Sequence, residues 1–149
     1  YLRWLCGAVL TGNYDGFLQN YTIFEYGKRS KYGMIPWDYE GTWGRNCYGK
    51  AVKSDLVRIK GYNVLTGKVL AYKAYRQKYK RILERALEST FTVSRLMPVV
   101  RKMHSAIAQD IYDDPKYKWD VGIFDTEPDV IREYIEDRRR DIKNEMEQL

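Results

Sequence analysis

Two hydrophobic periods divide the chain, a short period-two stretch near the start and long helical stretches after it. Residues 1–10 are largely apolar and predict the end of a buried helix, and residues 11–13 (Thr-Gly-Asn) predict the turn that ends it. Residues 21–26 are aromatic and β-branched, residues 27–31 are polar, and residues 32–35 are again strand-like. This pattern predicts a β-hairpin of two short antiparallel strands.

Helical spacing dominates the rest of the chain. Residues 39–61 show little periodicity and predict an extended loop, whereas apolar residues recur every three or four positions over residues 64–87 and predict a helix. Thr92 is a candidate N-cap for a third helix through about Tyr112, with Pro98 bending or delaying it.

A last helix is predicted to begin at Thr126, because Thr-Glu-Pro-Asp is typical of helix starts. Its apolar face would consist of Val130, Ile131, Tyr134, Ile135, Ile142 and Met146. The basic run over residues 138–140, with Lys143, is interpreted as a solvated face of this helix. The whole pattern predicts an α+β fold that is mostly helical and forms one domain over residues 1–149.

Composition sets bounds on the class of protein. The chain has 149 residues, 44% of them hydrophobic, and a net charge of +6 that would attract phosphates, acidic proteins or nucleic acid. No apolar run reaches the roughly 18 residues of a membrane span, so no membrane association is expected. Cys6 and Cys47 have neither metal-ligand nor disulfide-framework spacing, which predicts two free thiols.

Three polar side chains around the predicted hairpin carry the candidate chemistry. Asn20 follows Asp15 by five residues, and the hairpin then leads back to Asp38. An Asp, an Asn five residues later and a second Asp after two strands is the arrangement with which protein kinases transfer phosphate. Asp15 would orient the attacking hydroxyl, and Asn20 and Asp38 would offer Mg²⁺ the oxygen ligands it prefers. Alternatively, Asp15 and Asn20 only shape turns.

The sequence around these residues resembles the spore coat protein H (CotH) family of atypical kinases. The resemblance rests on Asp15-Gly-Phe-Leu-Gln-Asn20-Tyr and, most specifically, on Ile35-Pro-Trp-Asp-Tyr-Glu-Gly-Thr-Trp-Gly-Arg45. Further segments are similar in the same order: Tyr62-Asn-Val-Leu-Thr-Gly-Lys-Val-Leu70, Tyr75-Arg-Gln-Lys-Tyr79, Phe91-Thr-Val and Asp114-Pro-Lys-Tyr-Lys-Trp119. The likeness covers nearly the whole chain.

The resemblance implies the larger, C-terminal lobe of a protein-kinase-like fold and an ATP-dependent serine kinase acting on bacterial spore coat proteins. Asp15 would be the catalytic residue, and Asn20 and Asp38 would bind Mg²⁺ and ATP. The partners would be protein substrates, not nucleic acid or membranes. The expected location is the mother-cell cytoplasm and the spore coat.

The sequence also departs from ordinary protein kinases. Asn13-Tyr14-Asp15 replaces His-Arg-Asp and Asp38-Tyr-Glu-Gly41 replaces Asp-Phe-Gly, so control by activation-loop phosphorylation is not expected. No glycine-rich loop or strand lysine precedes Asp15, so we expect the N-terminal ATP-covering lobe to be missing from this chain. The isolated fragment should then be nearly inactive, with apolar surface exposed on the helix of residues 1–10 and on the hairpin.

Neighbouring side chains have both functional and structural interpretations. A structural or surface salt bridge is favoured for Arg45 over a contact with phosphate. Three loop aromatics would either wall a cleft or pin the loop to the core: Trp37, Tyr39 and Trp43. His104 is assigned to packing or to the surface.

Two other functions stay open. A basic, tyrosine-rich binding module would dock to acidic spore coat proteins or nucleic acid by charge alone, without a metal. A hydrolase would use Asp15 and Asp38 as acid and base, but it would leave Asn20 without a role.

Overall fold

A computed structural model describes residues 1–27, 31–116 and 120–149. Its elements are α1 (Leu2–Thr11), β1 (Tyr21–Tyr26), β2 (Lys31–Pro36), α2 (Val64–Leu70), α3 (Lys73–Arg85), α4 (Val93–Asp113) and α5 (Val121–Met146). The fold is therefore α+β and mostly helical, as the sequence predicts. Within these ranges no helix is both long and apolar enough to cross a membrane.

Helix α1 lies in the core. Its buried side chains are Trp4, Leu5, Cys6, Ala8, Val9 and Leu10. The prediction that this helix exposes apolar surface is wrong, because α3 and α5 pack against it and cover those side chains. Gly12 ends α1 with φ 74°, and a Cβ there would come within 2.5 Å of the Tyr134 hydroxyl on α5. Glycine is the residue that meets both requirements.

The predicted hairpin is confirmed. Tyr21 pairs with Pro36 and Tyr26 with Lys31 in an antiparallel register, and residues 28–30 of the predicted turn lie outside the described part of the chain. Large apolar side chains are exposed along both strands: Tyr21, Ile23, Phe24, Tyr26, Tyr32 and Ile35. Apolar side chains exposed in this number on one hairpin are typical of a protein interaction site.

The helical stretch predicted over residues 64–87 is divided into three parts. Helix α2 ends at Leu70, α3 begins at Lys73, and residues 86–90 form a π-helical turn. Tyr72 between α2 and α3 has an extended backbone. The Arg76 guanidinium donates to the Leu70 and Ala71 carbonyls at 2.7 and 2.8 Å, which gives partners to the carbonyls at the end of α2. Hydrophobic spacing alone did not reveal this break.

Helix α5 begins earlier than the sequence predicts. Asp120 is its N-cap, and the Asp120 carboxylate accepts the Gly122 N–H at 2.8 Å. Thr126 lies inside the helix, where its hydroxyl donates to the Gly122 and Ile123 carbonyls at 3.0 Å. The start predicted at Thr126 is therefore wrong, because a capping carboxylate upstream already nucleates the helix.

Pro128 is accommodated within α5 by a contact from α4. Proline has no N–H, so the Phe124 carbonyl four residues earlier lacks its helical partner. The His104 Nε2 lies 3.0 Å from that carbonyl, and the imidazole stacks on the Phe124 ring at a centroid distance of 4.1 Å. The packing role predicted for His104 is thus confirmed. The N-cap predicted for α4 is also confirmed, because Thr92 Oγ1 accepts the Arg95 N–H.

The basic run of α5 is only in part the solvated face that the sequence predicts, because Arg140 and Lys143 are exposed but Arg138 is not. Arg138 is 0% exposed. Its guanidinium donates to the Val9 carbonyl at 2.8 and 2.9 Å, to the Ser54 carbonyl at 2.9 Å and to the Val57 carbonyl. Arg140, in contrast, is exposed and pairs with Asp137. The sequence did indicate that Arg138 is buried, because position 138 falls four residues after Tyr134 on the apolar stripe of the helix.

Candidate functional site

The hairpin brings two of the three predicted site residues into direct contact. Asn20 precedes β1 and Asp38 follows β2, so the antiparallel pairing places both at the same end of the sheet. The Asn20 side-chain N–H donates to an Asp38 carboxylate oxygen at 2.9 Å. An amide and a carboxylate distant in sequence therefore lie side by side at an exposed position.

Asp15 lies in a 3₁₀ turn, Asp15–Phe17, that follows α1. Its carbonyl accepts the N–H groups of Leu18, Gln19 and Asn20 at 3.0 to 3.1 Å. These bonds fix the backbone of Asn20 relative to Asp15. The residue is only half-buried, which leaves its side chain accessible from solvent.

Buried residues hold the Asp15–Phe17 turn against the core. The Asn13 side-chain oxygen accepts the Gly16 N–H at 2.9 Å, and Asn13 itself is 1% exposed. Phe17 is buried and meets Trp4 edge-on at a centroid distance of 5.5 Å. A Cβ at Gly61 would come within 2.4 Å of the Phe17 ring, so the loop approaches the ring more closely than a side chain allows. The turn is therefore held on packed elements, as a site of fixed geometry requires.

Glu40 is a third acidic side chain at the site, and the sequence interpretation missed it. Its pKa is raised, first by a hydrogen bond with the Asp38 carboxylate and further by the negative charges of Asp38 and Asp15. The negative charges of Asp38 and Asp15 therefore act on Glu40. The signal in the sequence was the Asp-x-Glu spacing at positions 38 and 40.

The backbone of Asp38 has φ 58°, in the left-handed region. Asp and Asn occupy this region far more readily than other non-glycine residues, because their short polar side chains bond locally. Trp37 next to it is 63% exposed, so it does not pin the loop to the core. Tyr39 is half-buried, and burial raises the pKa of its hydroxyl while the Asn13 side chain opposes that shift.

The loop after Asp38 is pinned to the helices. The Trp43 N–H donates to the Thr11 carbonyl at 2.8 Å, and the Trp43 ring stacks on Phe91 at a centroid distance of 5.8 Å. Arg45 pairs with Glu127 of α5. The structural interpretation of Arg45 and Trp43 is therefore confirmed.

The donor set of Asn20 and Asp38 fits a magnesium ion that also binds phosphate. In the described residues no group of three or more His, Cys, Asp or Glu side chains forms a metal-binding cluster. Mg²⁺ in phosphotransfer sites commonly takes one or two protein oxygen ligands and completes its shell with phosphates and water. The pair therefore suits a metal that arrives with a nucleotide better than a permanently resident one.

An apolar groove of about 410 Å³ between α4 and α5 is lined by residues that include Val99, Met103 and Phe124. Asp15, Asn20 and Asp38 do not line it. The lining includes one carboxylate, Glu127, and that carboxylate pairs with Arg45. The rest of the lining offers no acidic oxygen to a metal, so the Asn20–Asp38 pair beside Asp15 is the better candidate site for phosphate chemistry.

The chain is similar in sequence to a known protein family and to two curated proteins. A family model described as "CotH kinase protein" matches residues 1–142. Inner spore coat protein H of Bacillus subtilis (strain 168) is 44% identical over 146 residues, which are 98% of this chain and 40% of that protein. The inner spore coat protein H-like protein of the same strain is 26% identical over 139 residues, which are 93% of this chain and 42% of that protein. The chain thus spans about two fifths of the length of these curated relatives. Because the family model matches nearly the whole chain, the protein belongs to the CotH family.

Proposed function

We propose that the chain is the C-terminal lobe of an atypical protein kinase that transfers phosphate from ATP to serine residues of spore coat proteins. The observation that supports this most is the 2.9 Å contact between Asn20 and Asp38, next to the Asp15 turn. The substrate class follows the description of the family and the name of the inner spore coat relative. The protein would act in the mother-cell cytoplasm and the spore coat.

In this proposal Asp15 accepts a hydrogen bond from the serine hydroxyl and takes its proton as the oxygen attacks the γ-phosphorus. The bond from the γ-phosphorus to the bridging oxygen breaks, and ADP leaves with that electron pair. Asn20 and Asp38 would hold Mg-ATP through their side-chain oxygens, where the metal would neutralise phosphate charge that redistributes during transfer.

The second half of the nucleotide site would come from another part of the polypeptide. We propose that a preceding segment forms the ATP-covering lobe and packs on the exposed apolar surface of the hairpin. Phosphoryl transfer depends on contacts from both sides of the phosphates. Residues 1–149 alone should therefore transfer phosphate more slowly than the full-length protein, by roughly 10² to 10⁴.

Substitution of Asp38 in the full-length protein tests the proposal. Asparagine is tolerated in the left-handed backbone of Asp38, so Asp38→Asn removes the charge without straining the chain. We expect incorporation of radiolabelled phosphate into a serine-containing acceptor protein to fall by about 10² or more, and Asp15→Asn to act similarly.

Asp55→Asn provides the matched control, because Asp55 is exposed and lies outside the site. Its rate should stay within about twofold of the unsubstituted protein. Thermal unfolding would verify that all three variants fold. A full rate in Asp38→Asn would contradict the proposed metal-binding role.

A further inference from the structure

Helix α3 carries a concentration of positive charge that the candidate site does not use. Six of its residues are Lys or Arg, and Glu84 is its only acidic residue. The ion pairs in the described ranges involve arginines of the loop and of α5, and none involves a cation of α3. The cations of α3 are therefore not held in ion pairs within the described part of the chain.

Part of this charge lines a groove of about 730 Å³. Lys78, Arg81 and Arg85 of α3 line it together with Arg3 of α1. The other lining residues are Ile82, Ala86, Ser89 and Thr90, so the described lining contains neither a carboxylate nor an aromatic ring. Four cations thus line one groove that is open to solvent.

The concentration of positive charge in this groove favours a phosphorylated side chain over a carboxylate. A phosphoserine carries nearly two negative charges and three acceptor oxygens, whereas Asp and Glu carry one charge each. Arginine forks bind phosphate through two parallel hydrogen bonds. Single-stranded nucleic acid is disfavoured, because proteins that bind it stack its bases on aromatic rings, which this groove lacks.

We propose that this groove binds a phosphoserine-bearing segment of a polypeptide. The inference rests on the proposed kinase function, because that reaction makes phosphoserine. The groove would hold a segment that has already been phosphorylated while another serine of the same segment reaches Asp15.

The groove and the candidate site lie along the same helix. Arg3 is near the start of α1, and Asp15 is in the turn that follows the end of α1 at Thr11. Phe17 of that turn packs on Trp4, so the turn folds back along α1 toward Arg3.

The test is a binding measurement on the full-length protein without nucleotide. Fluorescence anisotropy would follow a labelled Gly-Ser peptide that carries two phosphoserines. The double variant Arg81→Gln/Arg85→Gln should weaken its binding by about tenfold or more, and Arg3→Gln by at least about threefold. Arg95→Gln/Arg101→Gln makes the same change of charge at exposed positions of α4, and its affinity should stay within about twofold.

Several outcomes would overturn the proposal. These are no binding of the phosphopeptide, an equal loss in the α4 control, or equally tight binding of the unphosphorylated peptide, of its Asp-substituted form or of a single-stranded oligonucleotide. The Asp38→Asn variant should bind the phosphopeptide as the unsubstituted protein does. A failure of the groove and a failure of the kinase proposal would therefore be distinguishable, because one is measured without ATP and the other as phosphate transfer.

Discussion

At the scale of single residues, the Arg138 guanidinium connects segments that are far apart in the chain. It bonds carbonyls of α1 and of the loop after Asp38, where Ser54 and Val57 have no regular secondary structure around them. Buried carbonyls need a donor, and in an irregular loop the backbone does not supply one. Arg138 thus helps to fix the loop that follows the candidate metal-binding residue.

Arg138→Met should lower the free energy of unfolding by about 3 kcal/mol, because it leaves several buried carbonyls without donors. Arg140→Met is the control, since Arg140 is exposed and forms only a surface pair with Asp137. It should cost less than about 1 kcal/mol. Urea unfolding measures both values. Equal effects of the two substitutions would contradict the structural role given to Arg138.

Contacts between residues could be predicted where the sequence between them carried the pattern, and could not be predicted where they depended on distant parts of the chain. The pairing of Asn20 with Asp38 followed from the hairpin, whose period-two pattern lies between them in the sequence. The burial of Arg138 depends on carbonyls elsewhere in the chain, so a basic run appeared as a solvated face. The interaction of Glu40 with Asp38 and Asp15 likewise depends on how the loops meet.

At the scale of elements, helix ends are decided by competition between capping groups. Asp120 and Thr126 are both residues that can cap the start of a helix. Helix α5 begins at the first of them, with Asp120 as its N-cap. The contact from His104 offsets part of the usual cost of Pro128, because it gives the Phe124 carbonyl a partner. That contact comes from α4, so the sequence of α5 alone could not reveal it.

Asp120→Ala should destabilise the protein by about 1 kcal/mol, because the Gly122 N–H loses its capping acceptor. Thr126→Ala should change stability by less than about 0.5 kcal/mol, since its hydroxyl bonds carbonyls within the helix and caps nothing. Thermal unfolding of the two variants would compare them. The reverse order would restore Thr126 as the start of the helix.

At the scale of the whole molecule, burial of ionisable groups makes stability depend on pH. Burial raises the pKa of the Cys6 thiol from 9.0 to about 12. It also raises the pKa of the hydroxyls of Tyr79 and Tyr134. Above pH 9 the unfolded chain loses the Cys6 proton while the folded chain keeps it. Unfolding then releases a proton, so stability falls as the pH rises.

Between about pH 9 and about pH 12, Cys6 should lower the free energy of unfolding by about 1.4 kcal/mol per pH unit. Cys6→Ala should remove this part of the slope in urea unfolding curves. Cys47→Ala should leave the slope unchanged, because Cys47 is exposed. In the folded protein iodoacetamide should modify Cys47 and reach Cys6 only after denaturation. Rapid labelling of both thiols would contradict the burial of Cys6.

The bonds from Arg138 to Val9 also set an order in time, because 129 residues separate the two in the chain. A ribosome adds about 5 to 20 residues per second, so Val9 is synthesised on the order of ten seconds before Arg138. Asp15 and Asp38 leave the ribosome before α5, so the loop between Asp38 and α2 gains its anchor only when α5 has been synthesised. Nascent chains that stop before α5 should therefore expose this loop to proteases.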